Sequence, residues 1–378
     1  NCTHKAKESI STLIPDDLVF PSLSGKKLIF NHSQEALNED GYVQFTNNIK
    51  KCGFDDGEWI FIDANMAVRP AGIHPHDTKN VHPEYLDQVK KFMKSRNFKN
   101  IVHLDYHYYR VKRFLQGHPG FPFTDKFIDK LIESKKTRRY ICYNGTAQSH
   151  RLIFLNGLYN KNLIEKGMIS LLEKPDDEDF GYTRDQLTHE NRVDQFKELK
   201  STHPFFKNAP YVITEHPHHT ILYSTHRDTG PAGGKDLWCS IDRTHLLNTF
   251  FSVVPETVFF DAYWCVNKNH LFVTEKTYKS IAHNPTIVLG RPHTLKYLKS
   301  LGFKTFSDIF DESYDNIEND WDRYEAVMSL VETLCKMDYI ELKSKYEKSF
   351  EVILHNQRVF LNDKNTYSKK LKELIGKY

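Results

Sequence analysis

No apolar run in this 378-residue chain approaches the roughly 20 residues that a membrane-crossing helix requires. The opening stretch, Asn1 to Ile10, is polar and charged, so the expectation is a chain without a secretory signal. Cysteine is sparse, with six residues at 2, 52, 142, 239, 265 and 335, and none belongs to a Cys-x-x-Cys pair. That excludes a cysteine-built zinc module and fits reduced thiols in a cytoplasmic protein. Without a secretory signal, the sequons at Asn1, Asn31 and Asn144 carry little weight. An excess of one charge is missing as well: 52 Lys and Arg face 49 Asp and Glu, a net +3, which points to no partner. His216, His218 and His219, and His74 and His76 with Asp77, lie beside proline in loops, so no metal is expected. No internal repeat is visible.

What is present is an aromatic-rich, globular composition, 13% Phe, Trp and Tyr, in a chain too long for one ordinary core. Short apolar runs alternate with helical patterns. Lys27–Phe30, Glu58–Asp63 and Asn100–Tyr106 read as strands, with a helix over Pro83–Ser95. Arg139–Tyr143 reads as a strand, His150–Leu163 as a helix ended by Gly167, and Met168–Leu172 as the next strand. Further strands are expected at Pro210–Thr214, Thr257–Phe260 and Thr286–Gly290. This alternation is the pattern of an α/β protein with parallel sheets. It divides into an N-terminal domain, 1–137, a second domain, 138–345, and a helical tail, 346–378. Lys174–Lys207 reads as a charged helical insertion and Asp228–Lys235 as a Gly- and Pro-rich loop. The Asp-x-Asp within Asp176–Asp179 belongs to that insertion, so it reads as a solvated run.

Charge is distributed unevenly. Between Lys90 and Arg139 there are 14 Lys or Arg and 4 Asp or Glu, a local balance of +10, with aromatics interleaved from Phe92 to Phe127. Such a mixture suits a phosphate backbone. A solvated helix face over an ordinary core gives the same composition.

The most informative segment is Leu271–Pro292, LFVTEKTYKSIAHNPTIVLGRP. Thr274 is placed to cap a helix, with Glu275 and Lys276 in its first turn. Backbone N–H groups and a lysine there favour an anion, and a neighbouring carboxylate can accept hydrogen bonds from ribose hydroxyls. A plain capping role uses the same residues.

Phe272-Val273-Thr274-Glu275-Lys276, with Ala282 and Pro285-x-x-Val288-Leu289-Gly290 after it, resembles the donor-binding motif of α1,3-fucosyltransferases. It is still more similar to a group of phage- and virus-encoded glycosyltransferases. The likeness extends to Leu301-Gly302-Phe303-Lys304-Thr305-Phe306, to Asp311-Glu312-Ser313-Tyr314-Asp315, to Val254-Pro255-Glu256-Thr257, and to Asn144-Gly145 with His150-Arg151. It spans about Tyr140 to Asp322 with gaps. The resemblance implies a GT-B fold, two Rossmann-like domains facing a cleft, with a nucleotide-sugar donor held by the second. It implies Lys276 and Arg151 on the diphosphate, Glu275 on the ribose, and Glu256 orienting the motif or meeting the sugar. Asn144, Gly145 and Thr274 complete the donor-binding set.

Sugar transfer leaves a diphosphate whose charge grows in the transition state, and an enzyme without a metal must meet it with cations. Arginine offers a planar fork and lysine a point charge. Inverting transfer also needs a base for the acceptor's proton. Glu35, after the first strand, and Asp63 and Asp105, at strand ends, are the candidates, with Asp105 and Glu35 ranked together. No cofactor beyond the nucleotide-sugar substrate is expected, nor any membrane partner. The place is the cytoplasm, that of the host for a virus-encoded chain. The basic stretch makes a hydroxymethylated base in DNA one expected acceptor, and the fucosyltransferase likeness makes a glycan or protein the other. Two other classes remain: a nuclease using Asp261 with Glu275 and Lys276, and a nucleotide-binding protein without activity. The nuclease is the weaker, because adjacent Glu and Lys point to opposite sides of a strand.

Overall fold

The computed structural model describes residues 28–32, 59–63, 101–103, 105–144, 149–171, 241–257, 259, 271, 273–362 and 369. Glu35, Gly145, the helix expected at Pro83–Ser95, the strand at Pro210–Thr214, the insertion, the Gly-rich loop and both histidine groups lie outside the described residues. The chain forms two compact units. One comprises Asn1–Tyr106, Ala262–His270 and Lys364–Tyr378, the other His107–Asp261 and Leu271–Asp363.

The first unit holds β1 (Leu28–His32), β2 (Trp59–Asp63) and β3 (Ile101–His103), parallel and in that order. Pairing runs from Leu28↔Trp59 to His32↔Asp63, and Asp63 also faces His103. All three strands fall where the apolar runs place them. The third is shorter than expected, because the chain turns into helix from Tyr106.

The second unit is built on a four-stranded parallel sheet of β4 (Tyr140–Asn144), β5 (Gly167–Leu171), β6 (Phe251–Pro255) and β7 (Thr286–Leu289), in the order β5-β4-β6-β7. The strands are short apolar runs, and β5, β6 and β7 are buried along their whole length, as a sheet covered on both faces requires. The strand expected at Thr257–Phe260 lies six residues too late: Phe251–Pro255 is the strand, and Thr257 is a bend. Both runs are apolar. The first has partners on either side, pairing Tyr140↔Phe251 with β4 and Ser252↔Thr286 with β7, while 258 and 260 lie outside the described residues.

Helix α1 is Tyr106–Gly117, α2 Asp125–Glu133, α3 Ser149–Asn160, α4 Arg243–Asn248, α5 Glu275–Ile281 and α6 Thr294–Ser300. The last three are α7 Asp320–Lys336, α8 Tyr339–Lys348 and α9 Phe350–Leu361. Side-chain caps set several of their starts: Thr124 for α2, Asp242 for α4, Thr274 for α5, Asn319 for α7 and Asp338 for α8. Helix α3 stops at Asn160, before the expected Gly167. Asn162 takes a left-handed conformation, φ 56°, and a turn of 3-10 helix follows.

Gly167 instead opens β5 opposite Tyr140. A Cβ there would lie 2.3–2.7 Å from the Tyr140 ring and hydroxyl. That ring is fully buried, and its hydroxyl donates to the Leu163 carbonyl at 3.0 Å. Gly167→Ala is therefore expected to destabilise the unit by about 1–3 kcal/mol, the usual penalty for overpacking. The measurement is the urea midpoint at constant slope. An unchanged midpoint would mean that the ring yields without cost.

Helices α1 and α2 precede the boundary expected at 137, yet they belong to the second unit. Packing explains it. Tyr108 sits among Tyr278, Phe303 and Phe360, and Arg243 lies over the Phe127 ring at 4.4 Å. The Phe123 N–H donates to Gln357 Oε1 at 2.9 Å. The aromatics interleaved with the basic residues are thus core: Tyr108, Phe121, Phe123 and Phe127 are all buried. Two of the basic residues are buried too. Lys112 donates to the Asn362 carbonyl, and Lys136 to the Leu246 carbonyl at 2.7 Å with its ammonium over Tyr346. Burial, reinforced by the charge of Lys343, pulls Lys136 down to about 7. Arg113, Lys126, Lys130 and Lys135 remain exposed.

Among the described residues no helix is long and apolar enough to cross a membrane. Cys142 and Cys335 are free and buried. Burial pushes the Cys142 thiol up to about 12, against the opposing pull of Asn144 and Arg151, so it carries no thiolate near neutral pH.

Candidate donor site at the carboxyl ends of the strands

The strand order places a topological switch beside β4. From β4 the chain passes through α3 to β5 on one flank, while β6 lies on the other. In open α/β sheets ligands bind outside the carboxyl ends of the strands at such a point. Asn144 ends β4, Arg151 lies in the first turn of α3, and Glu256 follows β6 directly.

Glu256 is completely buried, and both carboxylate oxygens are engaged. Oε1 accepts from the Thr274 N–H at 2.9 Å and the Thr277 hydroxyl at 2.6 Å. Oε2 accepts from the Thr257 N–H at 3.0 Å and the Thr274 hydroxyl at 2.7 Å. A carboxylate has about four acceptor positions, so this one is saturated. Of the two roles the resemblance implies for Glu256, the geometry matches orientation of the motif. It ties the end of β6 to the start of α5.

Thr274 caps α5 through its hydroxyl, which accepts from the Lys276 N–H at 3.4 Å. The helix spans only seven residues, so the anion-attracting element here is the lysine side chain more than a macrodipole. The Lys276 ammonium reaches the Thr257 hydroxyl at 3.1 Å, the Thr274 hydroxyl at 3.2 Å and Glu275 Oε1 at 3.6 Å, and keeps about a fifth of its surface exposed. Glu275 Oε2 lies 3.2 Å from His107 Nδ1. Burial alone would raise the Glu275 pKa. Lys276, His107 and Lys279 outweigh it and hold the carboxyl well below the usual carboxylate range.

His150 links α3 to this junction. It is buried, and its Nε2 donates to the Glu256 carbonyl at 2.5 Å while the ring stacks on Phe259. Burial, with the charges of Arg151 and Lys276, lowers it to about 3 despite the bond to Glu256, so the ring is neutral. Arg151 lies in the first turn of α3 and Lys276 in the first turn of α5, and the charges of both act on this imidazole. Arg151 itself is buried, at 2% exposure. Asn144 is fully buried; its N–H donates to Ser170 Oγ at 3.0 Å, and among the described residues its Oδ1 has no hydrogen-bond partner.

The structure therefore brings Asn144, Arg151, Glu256, Thr274, Glu275 and Lys276 to one edge. Asp105 is half-buried and belongs to the first unit; Glu35 and Gly145 lie outside the described residues. Among the described residues, no three His, Cys, Asp or Glu side chains converge as a metal site.

The segments Leu301–Phe306 and Asp311–Asp315 are scaffold. Glu312 accepts from the Thr305 hydroxyl and the Phe306 N–H, both at 2.6 Å. Asp315 accepts from the Leu295 and Lys296 N–H groups and so secures the start of α6, while Tyr314 takes the Val288 N–H of β7. Arg323, which carries no sequence signal of its own, clamps the edge from behind. It donates to the carbonyls of Gly290, Phe259 and Ile317 and pairs with Asp320 at 2.5 Å. His107 likewise escapes sequence reading, because its partner Glu275 lies far along the chain.

No protein-family model, curated protein or solved structure matches the chain.

Proposed function

We propose that the chain is a glycosyltransferase of the GT-B type that takes its sugar from a nucleoside diphosphate, bound at the carboxyl edge of the second unit's sheet. The observation that carries the reading is the convergence of Arg151 and Lys276 at the switch point, around a Glu256 already saturated by neutral donors. On this reading the diphosphate lies at the Lys276 ammonium, which Glu275 flanks at 3.6 Å, with Arg151 in the first turn of α3 as the second cation. On this reading the departing diphosphate is stabilised by Lys276 and Arg151 without a metal. Saturation of Glu256 removes it from chemistry and makes it the residue that positions Lys276.

The acceptor end is argued from charge alone. Exposed Arg113, Lys126, Lys130 and Lys135 suit the phosphates of a DNA carrying a hydroxymethylated base. The burial of Tyr108, Phe121, Phe123 and Phe127 removes those rings as base-stacking platforms.

A thermal-shift screen of GDP, UDP and their sugar conjugates tests the donor site. A ligand at a hundred times its dissociation constant stabilises by about 2.7 kcal/mol. The expected result is stabilisation of the wild type by one base class, lost in Lys276→Ala and Arg151→Ala. If none of the nucleotides stabilises the wild type, the donor-site reading falls. Duplex DNA in the same screen tests the acceptor: a shift that fades with salt supports it, and no shift removes it.

A further inference from the structure

An adjacent Asn-Gln pair inside α9 takes hold of the far end of α5. We infer that Asn356 and Gln357 are positioning residues for Lys276, acting through that helix; this rests on the donor-site reading above. Both are completely buried, in a helix whose other buried residues are Phe350, Val352, Ile353 and Phe360. The two helices belong to the second unit.

Every polar side-chain atom of the pair is engaged. Asn356 Nδ2 donates to the Ile281 carbonyl at 3.1 Å, and Gln357 Nε2 to the Ala282 carbonyl at 2.9 Å. Ile281 ends α5 and Ala282 caps it, so these are carbonyls that a helix leaves without partners of its own. Each amide oxygen holds a different segment. Asn356 Oδ1 accepts from the Lys304 N–H at 2.8 Å, while Nδ2 also reaches the Lys304 carbonyl at 3.0 Å. Gln357 Oε1 accepts from the Phe123 N–H at 2.9 Å. The end of α5 is thus tied through α9 to two segments remote from it in sequence.

Leucine and methionine would fill similar volumes without the desolvation that a buried amide suffers. What the amides add is direction, because a hydrogen bond fixes distance and angle and apolar burial does not. That direction is needed at α5. A helix of seven residues is about 10 Å long and too short to persist unaided. Its geometry is set by what ties its ends. Glu256 ties the start through Thr274 and Thr277, and Asn356 and Gln357 tie the end. If the end is freed, fraying reaches Thr277 within about one turn. Lys276 lies between the two ties, so its ammonium then loses its fixed relation to Thr257 and Thr274.

The test uses the full chain and the nucleoside diphosphate that stabilises the wild type. Gln357→Met and Asn356→Leu are expected to weaken its binding by about tenfold to a hundredfold, the scale of a displacement of about 1 Å in a positioning element. Gln357→Asn draws the amide back by one methylene and should act in the same direction, less strongly. If Gln357→Met does not fold, this variant decides on the same criteria. Leu342→Ala, in the buried face of α8, lowers the urea midpoint while leaving the bonds to α5 in place, and should bind within about threefold of the wild type. The carbon-13 signal of the Lys276 side chain, assigned by its loss in Lys276→Arg, should move in the α9 variants and stay in Leu342→Ala. A merely structural role would not separate the α9 variants from that control. If the nucleotide binds the wild type and the α9 variants bind it within about threefold, the positioning role is wrong and the donor site stands. An unmoved Lys276 signal, or a control that loses as much affinity, overturns it equally. If no nucleotide binds the wild type, both readings fall together.

Discussion

Glu256→Gln is expected to cost about 2–4 kcal/mol of stability, although the side chain keeps its shape. Each oxygen of Glu256 accepts one backbone N–H and one threonine hydroxyl: Thr274 N–H and Thr277 on Oε1, Thr257 N–H and Thr274 on Oε2. A glutamine must put its NH₂ at one of these positions. A hydroxyl there can rotate and accept, but a backbone N–H cannot turn away. Either orientation of the amide therefore sets two donors against each other at a fully buried site, and a buried donor without an acceptor costs about 1–3 kcal/mol. Glu256→Ala is expected to cost about 3–5 kcal/mol, because it strands all four donors at once. Against a total of about 5–15 kcal/mol for a typical domain, either change is large. Urea unfolding of the two variants beside the wild type is the measurement. A glutamine variant as stable as the wild type would falsify the account of Glu256 as a saturated acceptor. The functional consequence is tied to the same bonds. Thr257 and Thr274 hold the Lys276 ammonium, so loosening this junction should weaken nucleotide binding along with folding.

The local parts of this site were legible in the sequence because they depend on neighbours. A threonine before Glu-Lys at a helix start announces a cap, and Thr274 is one. Short apolar runs bounded by polar residues announce strands, and β1, β2, β4, β5 and β7 follow within a residue or two. Beyond local order, composition failed in identifiable ways. Phe251–Pro255 and Thr257–Phe260 are both apolar, and only pairing with β4 and β7 decides between them. Aromatics beside lysines look alike whether they stack on bases or fill a core. Tyr108, Phe123 and Phe127 belong to the core because Arg243 of α4, Tyr278 of α5, His283, Phe303, and Gln357 and Phe360 of α9 supply partners that no window around them contains. Glu256 was legible as a residue of interest, yet its role follows from four donors spread over two elements. His107 was invisible for the same reason, since its meaning comes from a carboxylate brought to it by folding.

Acidification should unfold the second unit before its carboxylates titrate, because two histidines are buried neutral. His150 is pulled to about 3 by burial first and then by Arg151 and Lys276, against the opposing bond to the Glu256 carbonyl. His283 is pulled to about 4 by burial first, then by the charges of His118, Lys279 and Arg243, against its bond to the Lys279 carbonyl. In both, the folded value lies below the ordinary 6.5, so the unfolded chain binds the proton first. Their contribution is complete above about 6.5 and is lost as pH falls through about 4 and then 3. At about 1.4 kcal/mol per unit, His150 alone withdraws on the order of 5 kcal/mol when fully titrated. Glu312 and Asp315 work the other way, since burial raises both against their hydrogen bonds, and they moderate the loss. The window that isolates the histidines lies between pH 6.5 and about 5, above the ordinary carboxylate range. Thermal unfolding across that window should show a falling midpoint, with a shallower slope in His150→Gln, which keeps an N–H for the Glu256 carbonyl but does not titrate. A midpoint that is flat from pH 6.5 to 5 would mean that one or both rings accept the proton without leaving the fold. The junction joining α3, β6 and α5 would then be open to water, and the dry, cation-lined edge proposed for the diphosphate would lose its physical basis.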